Sequence, residues 1–313
     1  MEELTYIVKR ILQMIPVLLI ITFIIFFGMR LIPGDPALLL VGNRASDEVI
    51  AATRARLGLD EPLFTQYLLF LKQCLTFDFG ESMTLRAPVT ELFAQKAVIT
   101  VSLTLMTIGF AILISFPLGY AAGVKHDSKI GSFIDSLSLT FVSVPEFLVG
   151  LVIMLIFALR LKWFPVGGWG DTLGERIHAL ILPAFTGALG TAALVLRNIR
   201  GNVIQVLDKD YVDFAYSKGL SPWKIRTRYI FKNVLISTVT LLAMRMTYML
   251  AGSIVIESVF ALPGIGQMML NAILARDYSI VQATVYLFSI IVLLMNLLTD
   301  IAYSLLDPRV KLN

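Results

Sequence analysis

The sequence predicts an all-α protein that crosses a membrane several times, and three observations carry this prediction. Of its 313 residues, 57% are hydrophobic and 15% are charged, and the mean hydropathy is +0.82. Such a composition lies far outside the range of soluble domains. The apolar residues form six stretches, each long enough to cross a hydrocarbon core that needs about 20 helical residues. The six transmembrane helices are expected near residues 11–31, 97–122, 133–159, 177–197, 234–257 and 281–304.

The basic residues of the loops predict the orientation. Lys9 and Arg10 precede the first span, and Lys125 and Lys129 lie between the second and third spans. The loop between the fourth and fifth spans is the most basic: it holds Arg197, Arg200, Lys209, Lys218, Lys224, Arg226, Arg228 and Lys232. Short cytoplasmic loops of membrane proteins are enriched in Lys and Arg. Both termini are therefore expected in the cytoplasm, and the net charge of +4 is explained by topology without a nucleic acid.

The first external segment, residues 32–96, is expected to form a small helical insertion. A helix is predicted from Ser46 and Asp47 to Leu57, closed by Gly58. The next helix should carry an apolar stripe. This stripe consists of Leu63, Tyr67, Leu68 and Leu71. The predicted organisation is thus residues 1–31 as cytoplasmic amino terminus and first span, 32–96 as extracytoplasmic insertion, 97–304 as a five-helix core with a cytoplasmic loop at 198–233, and 305–313 as a cytoplasmic tail.

Several kinds of chemistry are excluded by the residues present. Cys74 is the single cysteine, so an internal disulfide is impossible, and with His126 and His178 as the only histidines a Cys/His metal cage has no ligands. The chain contains no glycine-rich phosphate loop of the GxxxxGK[ST] kind, so it cannot bind and hydrolyse ATP by itself. We expect no metal and no cofactor in this chain.

The stretch from Asp210 to Asn233 is a basic loop with strong local structure signals. Asp210 is predicted to cap a short helix that ends at Gly219 in a left-handed conformation. Ser221 and Pro222 are predicted to open a second helix. Tyr211, Phe214, Ala215 and Lys218 fall on one face of the first helix.

Ala215 and Gly219 lie one turn apart and carry little or no side chain. Another protein surface could therefore approach the backbone of the short helix closely, and the stretch is interpreted as a docking helix. The alternative is an amphipathic loop that rests on lipid headgroups.

The pattern of Asp213, Ala215 and Gly219, followed by an apolar and basic helix, resembles the "EAA" loop of ABC-type importer permeases of the oligopeptide, dipeptide and nickel branch. Further strings resemble this branch in the same order: RLIPGDP at 30–36, LGLDEPLFTQYL at 57–68, FGESMTLRAPV at 79–89, PGIGQ at 263–267 and LDPR at 306–309. The resemblance covers essentially the whole chain.

The resemblance implies a type I importer permease fold with six transmembrane helices in the bacterial plasma membrane. It implies a second homologous permease in a heterodimer, two cytoplasmic ATPase subunits that hold ATP and Mg, and an extracytoplasmic solute-binding protein. The short helix would be the coupling helix that docks on an ATPase subunit. Its docking residues would be Asp210, Tyr211, Asp213, Phe214, Ala215, Lys218, Gly219 and Leu220. Candidates for outer-loop gating or for docking of the binding protein are Asp35, Glu257, Pro263 and Gly264.

Two charges at mid-depth require an explanation, because an ionisable residue there costs about 2.5 to 3.5 kcal/mol. Glu146 follows Pro145 within the third span, and Arg245 lies within the fifth, at similar depths of about 19 and 16 Å. We expect them to face each other or a shared water-filled cavity, as an ion pair or as contacts to a zwitterionic substrate; a purely structural pair is the alternative. Glu257, near the outer end of the fifth span, is expected to brace the PGIGQ loop.

Three functions are compatible with these features. The first is the permease of an ATP-driven importer of small peptides, with nickel or another metal chelate, or glutathione, as alternative substrates. The second is a proton-coupled secondary transporter in which Arg245, Glu146 and Asp300 relay protons. The third is a membrane sensor or scaffold whose basic loop recruits a cytoplasmic protein.

Overall fold

A computed structural model describes residues 2–31, 35–42 and 45–306, and the regular elements within these ranges are helices. The helices are α1 (Glu2–Leu31), α2 (Pro36–Val41), α3 (Asp47–Arg56), α4 (Leu63–Thr76), α5 (Val89–Val124), α6 (Lys129–Ser143), α7 (Glu146–Ile153), α8 (Leu173–Leu207), α9 (Asp210–Ser217), α10 (Pro222–Lys224), α11 (Lys232–Val259), α12 (Ile265–Leu274) and α13 (Tyr278–Leu306). Two π-helical segments, Met154–Arg160 and Ile225–Phe231, follow α7 and α10 without a break.

Helices lie at all six positions where a span was predicted, while the number that crosses the membrane stays a prediction. By length and composition alone, α1, α5, α8 and α13 can each cross a membrane, and α6 with α7 and its π-helical continuation can form a fifth crossing. The predicted fifth span falls on α11, which has 28 residues. At a rise of about 1.5 Å per residue this helix is also long enough to span a hydrocarbon core.

The third predicted span is not one continuous helix, so the depth of Glu146 that was counted along a straight helix is wrong. Helix α6 ends at Ser143, Val144 is extended, and α7 starts at Glu146 after a bend of 104°. Pro145 lacks a backbone N–H group and disfavours helical geometry in the residue before it, which explains the break. Glu146 therefore lies in the first turn of a new helix, and its depth cannot be counted along a straight span.

The chain forms two compact units. The first unit comprises residues 1–98 and 264–297, and its buried core includes Phe26, Phe70, Ile265 and Ile280. The second unit comprises residues 99–263 and, of the described part of the last helix, residues 298–306. Within the described part of the second unit, α8 is the central helix, because it packs against α6, α7 and α11.

A buried carboxylate organises the first unit. Asp277 is fully buried, and its Oδ2 accepts hydrogen bonds from Ser82 Oγ at 2.6 Å, from Thr84 N at 2.9 Å and from Thr84 Oγ1 at 2.8 Å. Its Oδ1 accepts a bond from Ile280 N at 3.3 Å, in the first turn of α13. Asp277 thus ties the loop 80–89 to the start of the last helix.

The insertion contains the two predicted helices, but the predicted apolar stripe of α4 is only half right. The inward face of α4 carries Phe70 and Cys74, with Tyr67 packed against the same core. Leu63 and Leu68 are about half exposed. The spacing of three and four residues predicted the helix correctly, whereas the choice of face depended on partners in α1 and α13 that are distant in sequence.

Cys74 provides a probe of the folded first unit. Burial raises the pKa of its thiol to about 12, above the value of about 8.5 for a free cysteine. The folded state therefore holds the neutral thiol, and its stabilising contribution is fully present below about pH 8.5 and is lost as the pH rises towards 12. At pH 8 we expect no maleimide labelling of native protein and full labelling in denaturant. Labelling of the native protein at the denatured rate would contradict this burial.

In the second unit, α5 and α8 approach closely through two glycines. A Cβ atom at Gly119 would lie 2.8 Å from the Leu196 carbonyl oxygen, and one at Gly123 would lie 2.6 Å from Val203 Cβ. Gly119 and Gly123 are four residues apart, so they form one small-residue face that lets the helix backbones meet. No side chain larger than hydrogen fits there without a shift of α8.

The Gly123→Val substitution is expected to destabilise this helix pair by about 2 kcal/mol or more, because overpacking of a close contact forces backbone shifts. Gly109→Val is the matched control, since Gly109 lies in the same helix and has no atom within 4 Å of its ideal Cβ position. Thermal unfolding in detergent measures both variants. Equal stability of the two variants would show that the α5–α8 contact tolerates a side chain.

Candidate functional site

The predicted coupling helix is present as α9, and its ends are set by local chemistry. Gly219 adopts a φ of +72°, as predicted for the left-handed residue that closes this helix. Ser221 caps the next helix by accepting a bond from Lys224 N at 3.4 Å, and Pro222 is its first residue. The prediction that Asp210 is the cap is wrong: Lys209 occupies that position, and Asp210 is the first helical residue. Its carboxylate instead interacts favourably with the positive end of the helix dipole.

One face of α9 is buried against the chain itself. Val212 and Ala215 are 1% and 3% exposed and pack with Ile225 and Ile230 of the following π-helical segment. The small side chain of Ala215 therefore admits the protein's own helix and not a partner. At Gly219 a Cβ would meet nothing within 4 Å, so its backbone conformation, and not close approach, requires glycine.

The rest of the α9 surface is open and carries aromatic and charged groups. Phe214 is 60% exposed, Tyr211 is 41% exposed, and the Nζ atom of Lys218 lies 4.5 Å from the centre of the Phe214 ring. Asp213 is exposed as well, and Leu220 is half-buried. An open surface of rings and charges on a rigid short helix suits a protein partner.

Two exposed aromatic residues beside α9 were missed by the sequence analysis. Tyr216 is 47% exposed and Trp223 is 75% exposed. Only the structure shows on which side of α9 and α10 these rings lie. The sequence did offer a signal for an exposed ring, because Trp223 occupies the second position of the capped helix α10.

Glu146 and Arg245, the two charges singled out in the sequence, line one cavity in the second unit. The cavity has a volume of about 370 Å³ and is bounded by α5, α6, α7, α8 and α11. Glu146 enters it from the first turn of α7, and Arg245 enters it from α11. Glu146 and Arg245 make no ion pair with each other within the described part of the chain, where the Arg245 guanidinium lies 5.5 Å from the Tyr248 ring centre.

Several cavity residues were not identified from the sequence. Thr104, Thr107 and Gly187 line the wall beside Glu146. Each is ordinary in a membrane helix, so the sequence carries no signal for them. Their position follows from the packing of α5 and α8 against the start of α7.

The outer-loop candidates lie in different environments. Asp35 caps α2 by accepting a bond from Ala37 N at 3.1 Å and forms an ion pair with Arg54 at 2.9 Å. Glu257 is fully buried, and its Oε1 accepts a bond from Thr100 Oγ1 at 2.6 Å. The Glu257 carbonyl accepts a bond from Leu262 N at 2.9 Å, in the turn before PGIGQ.

Pro263 is half-buried, and Gly264 directly precedes α12 as its capping residue. Pro33 and Gly34 of the first family string and residues 307–313 of the tail lie outside the described residues. In the described ranges, no group of three or more His, Cys, Asp or Glu side chains could hold a metal ion.

The bent helix pair, the long apolar helices and the short exposed helix with its glycine end define a membrane permease of the importer type. Residues 115–312 match the family model described as the inner membrane component of binding-protein-dependent transport systems. Residues 3–104 match the model for the N-terminal part of such components. The chain belongs to this family of ABC importer permeases.

Known relatives match the chain over almost its full length. A Brucella abortus (strain 2308) protein named as a peptide transport system permease is 37% identical over 308 residues, which are 97% of this chain and 98% of the relative. The glutathione transport system permease protein GsiC of Salmonella paratyphi A is 35% identical over 308 residues, with 98% and 99% covered.

Solved structures show the same fold at low identity. The inward-facing MetNI methionine ABC transporter covers 70% of this chain and 97% of the matched chain, with a TM-score of 0.60 and 15% identity. An amino acid ABC transporter covers 69% and 94%, with a TM-score of 0.52 and 17% identity. The type I importer permease fold expected from the sequence is thereby confirmed.

Proposed function

We propose that this permease imports small peptides across the bacterial plasma membrane, with both termini in the cytoplasm, and that ATP hydrolysis on separate subunits drives the transport. The observation that carries the proposal is the short helix α9, which packs one face on its own bundle and leaves Tyr211, Phe214 and Lys218 open. Two relatives named as peptide and glutathione transport permeases support the substrate class.

The energy enters through α9. Two cytoplasmic ATPase subunits bind ATP and Mg, and one of them contacts the open face of this helix. Val212 and Ala215 fix α9 to the following helices, so α9 moves together with them. A movement of the ATPase therefore reaches the membrane helices and is not absorbed by a flexible loop. A second homologous permease supplies the other half of the passage, and a solute-binding protein delivers the substrate from outside.

The cavity beside Glu146 and Arg245 is the substrate passage within this chain. Its volume of about 370 Å³ falls within the range of small-molecule sites. Outside it, Asp35, Pro263 and Gly264 contribute to gating or to docking of the binding protein. Glu257, which has no exposed surface, acts by bracing the turn at Leu262 and not by direct contact with a docked protein.

Glutathione is the second candidate substrate, because the Salmonella relative carries that name at 35% identity. It is itself a short peptide with free charged ends, so the same cavity chemistry suits it. Competition between a dipeptide and glutathione for uptake distinguishes the two candidates.

The test is uptake of a labelled dipeptide by proteoliposomes that contain both permeases and the ATPase subunits. Uptake is expected to require ATP and the solute-binding protein and to persist when the proton gradient is collapsed. Uptake that needs a proton gradient and proceeds without ATP would establish the secondary-transporter alternative. Failure of every substrate to be taken up by an active, correctly assembled complex would favour the sensor or scaffold.

A further inference from the structure

The cavity of the second unit has two chemically different walls. On one wall, Glu146 lies beside Gly187 of α8 and Thr107 of α5. A Cβ atom at Gly187 would lie 2.5 Å from Ile256 Cδ1, 3.3 Å from Thr107 Cγ2 and 3.4 Å from Glu146 Oε1, so these side chains meet at this one glycine. The Glu146 carboxylate therefore lies directly against the surface of α8.

The threonines of this wall can only accept hydrogen bonds from a ligand. Thr107 Oγ1 donates its hydrogen to the Leu103 carbonyl at 2.8 Å, and Thr104 Oγ1 donates to the Thr100 carbonyl at 2.8 Å. A hydroxyl has a single hydrogen, so only oxygen lone pairs remain for the cavity. Together with the carboxylate they form a pole of acceptors, which suits an ammonium group with its three N–H donors.

The second pole is formed by Arg245. Its guanidinium has only donors, stays charged and binds carboxylates in a forked geometry. Glu146 and Arg245 line the same cavity, yet in the described structure they are not within ion-pair distance. Two opposite charges that face one space without contact fit a ligand that carries both complementary charges.

We propose that this cavity binds the two ends of a short zwitterionic peptide, with the terminal ammonium group at Glu146 and Thr107 and the terminal carboxylate at Arg245. The inference rests on the proposed function and adds the polarity and the end groups of the substrate.

The test measures binding to the purified permease and ATPase complex in lipid nanodiscs, without the solute-binding protein. The probes are dialanine, lactoyl-alanine, in which a hydroxyl replaces the amino group, and dialanine amide, in which an amide replaces the carboxylate. The native complex is expected to bind dialanine about 10-fold or more tightly than either analogue, as expected for loss of a charged hydrogen bond.

Each charge variant should lose the preference for dialanine over one analogue and keep the preference over the other. Glu146→Gln is expected to bind dialanine and lactoyl-alanine equally and still to reject the amide, whereas Arg245→Gln should show the reverse pattern. Thr107→Val should weaken dialanine more than lactoyl-alanine.

Equal loss of all three ligands in both charge variants would overturn the proposal, because it would indicate a packing role for the charges. No binding of dialanine by a complex that transports dialanine with its binding protein would overturn it too, while the proposed function would stand. If the complete system transports no peptide at all, the proposed function itself fails. Size-exclusion profiles and basal ATPase activity show whether each variant is assembled.

Discussion

Gly219→Val is expected to reduce uptake to less than about a tenth of the native level while the protein still inserts into the membrane. Gly219 closes α9 at a φ of +72°, and its N–H group donates to the Tyr216 carbonyl at 2.9 Å. A left-handed conformation costs an L-residue roughly 1–2 kcal/mol, and it is least tolerated by β-branched side chains. The chain is expected to relieve this strain by changing the turn, which tilts the open face of α9 away from its partner.

The Gly219→Asn variant is the matched control, because asparagine tolerates the left-handed region and a Cβ here meets no atom within 4 Å. It should transport at nearly the native rate and retain the ATPase subunit in co-purification, whereas the valine variant should lose it. Normal uptake by both variants would refute the docking role of α9. Loss of uptake in both would show that bulk at this position matters, and hence that a partner approaches Gly219 closely.

Asp277→Ala is expected to destabilise the first unit by several kcal/mol. The substitution removes the acceptor of Ser82 Oγ, Thr84 N and Thr84 Oγ1, and also a cap of α13. Each buried donor left unsatisfied costs about 1–3 kcal/mol, and loss of a cap costs about 0.5–2 kcal/mol. Thermal unfolding in detergent and proteolysis within residues 80–89 measure the effect.

Two further variants test whether the buried hydrogen bonds of Asp277 are the cause of this loss of stability. Asp78→Ala removes an exposed carboxylate that accepts one bond, from Gly80 N at 3.2 Å, and should change stability little. Asp277→Asn should also destabilise, because an amide cannot present acceptors to all four donors at once. If Asp277→Ala and Asp78→Ala unfold at the same temperature, the buried contacts of Asp277 do not stabilise the unit.

The sequence located the helices because hydropathy and helix ends are local properties. The apolar runs placed helices at all six expected positions, and Gly219, Ser221 and Pro222 predicted the turn after α9 from the backbone preferences of single residues. The break before Glu146 had a visible signal in Pro145, but the sequence does not show whether a helix bends or ends at a proline. The family resemblance, which rested on several motifs found in the same order, was confirmed over residues 3–104 and 115–312.

Which face of each helix is buried was decided only by tertiary structure. Ala215 looks like part of a docking face in sequence, yet it is buried against Ile225 and Ile230. Asp277 looks like an ordinary loop aspartate, although its main partner, Ser82, is 195 residues away.

The sequence by itself determined that this is a helical membrane permease of the importer family, and that the short helix α9 is closed by Gly219. Only the packed structure showed that Glu146 and Arg245 share a cavity and that Glu146 lies against Gly187 of α8. The physical reason is that helix formation depends on neighbours a few residues apart, whereas a binding cavity depends on helices that the chain brings together over long distances.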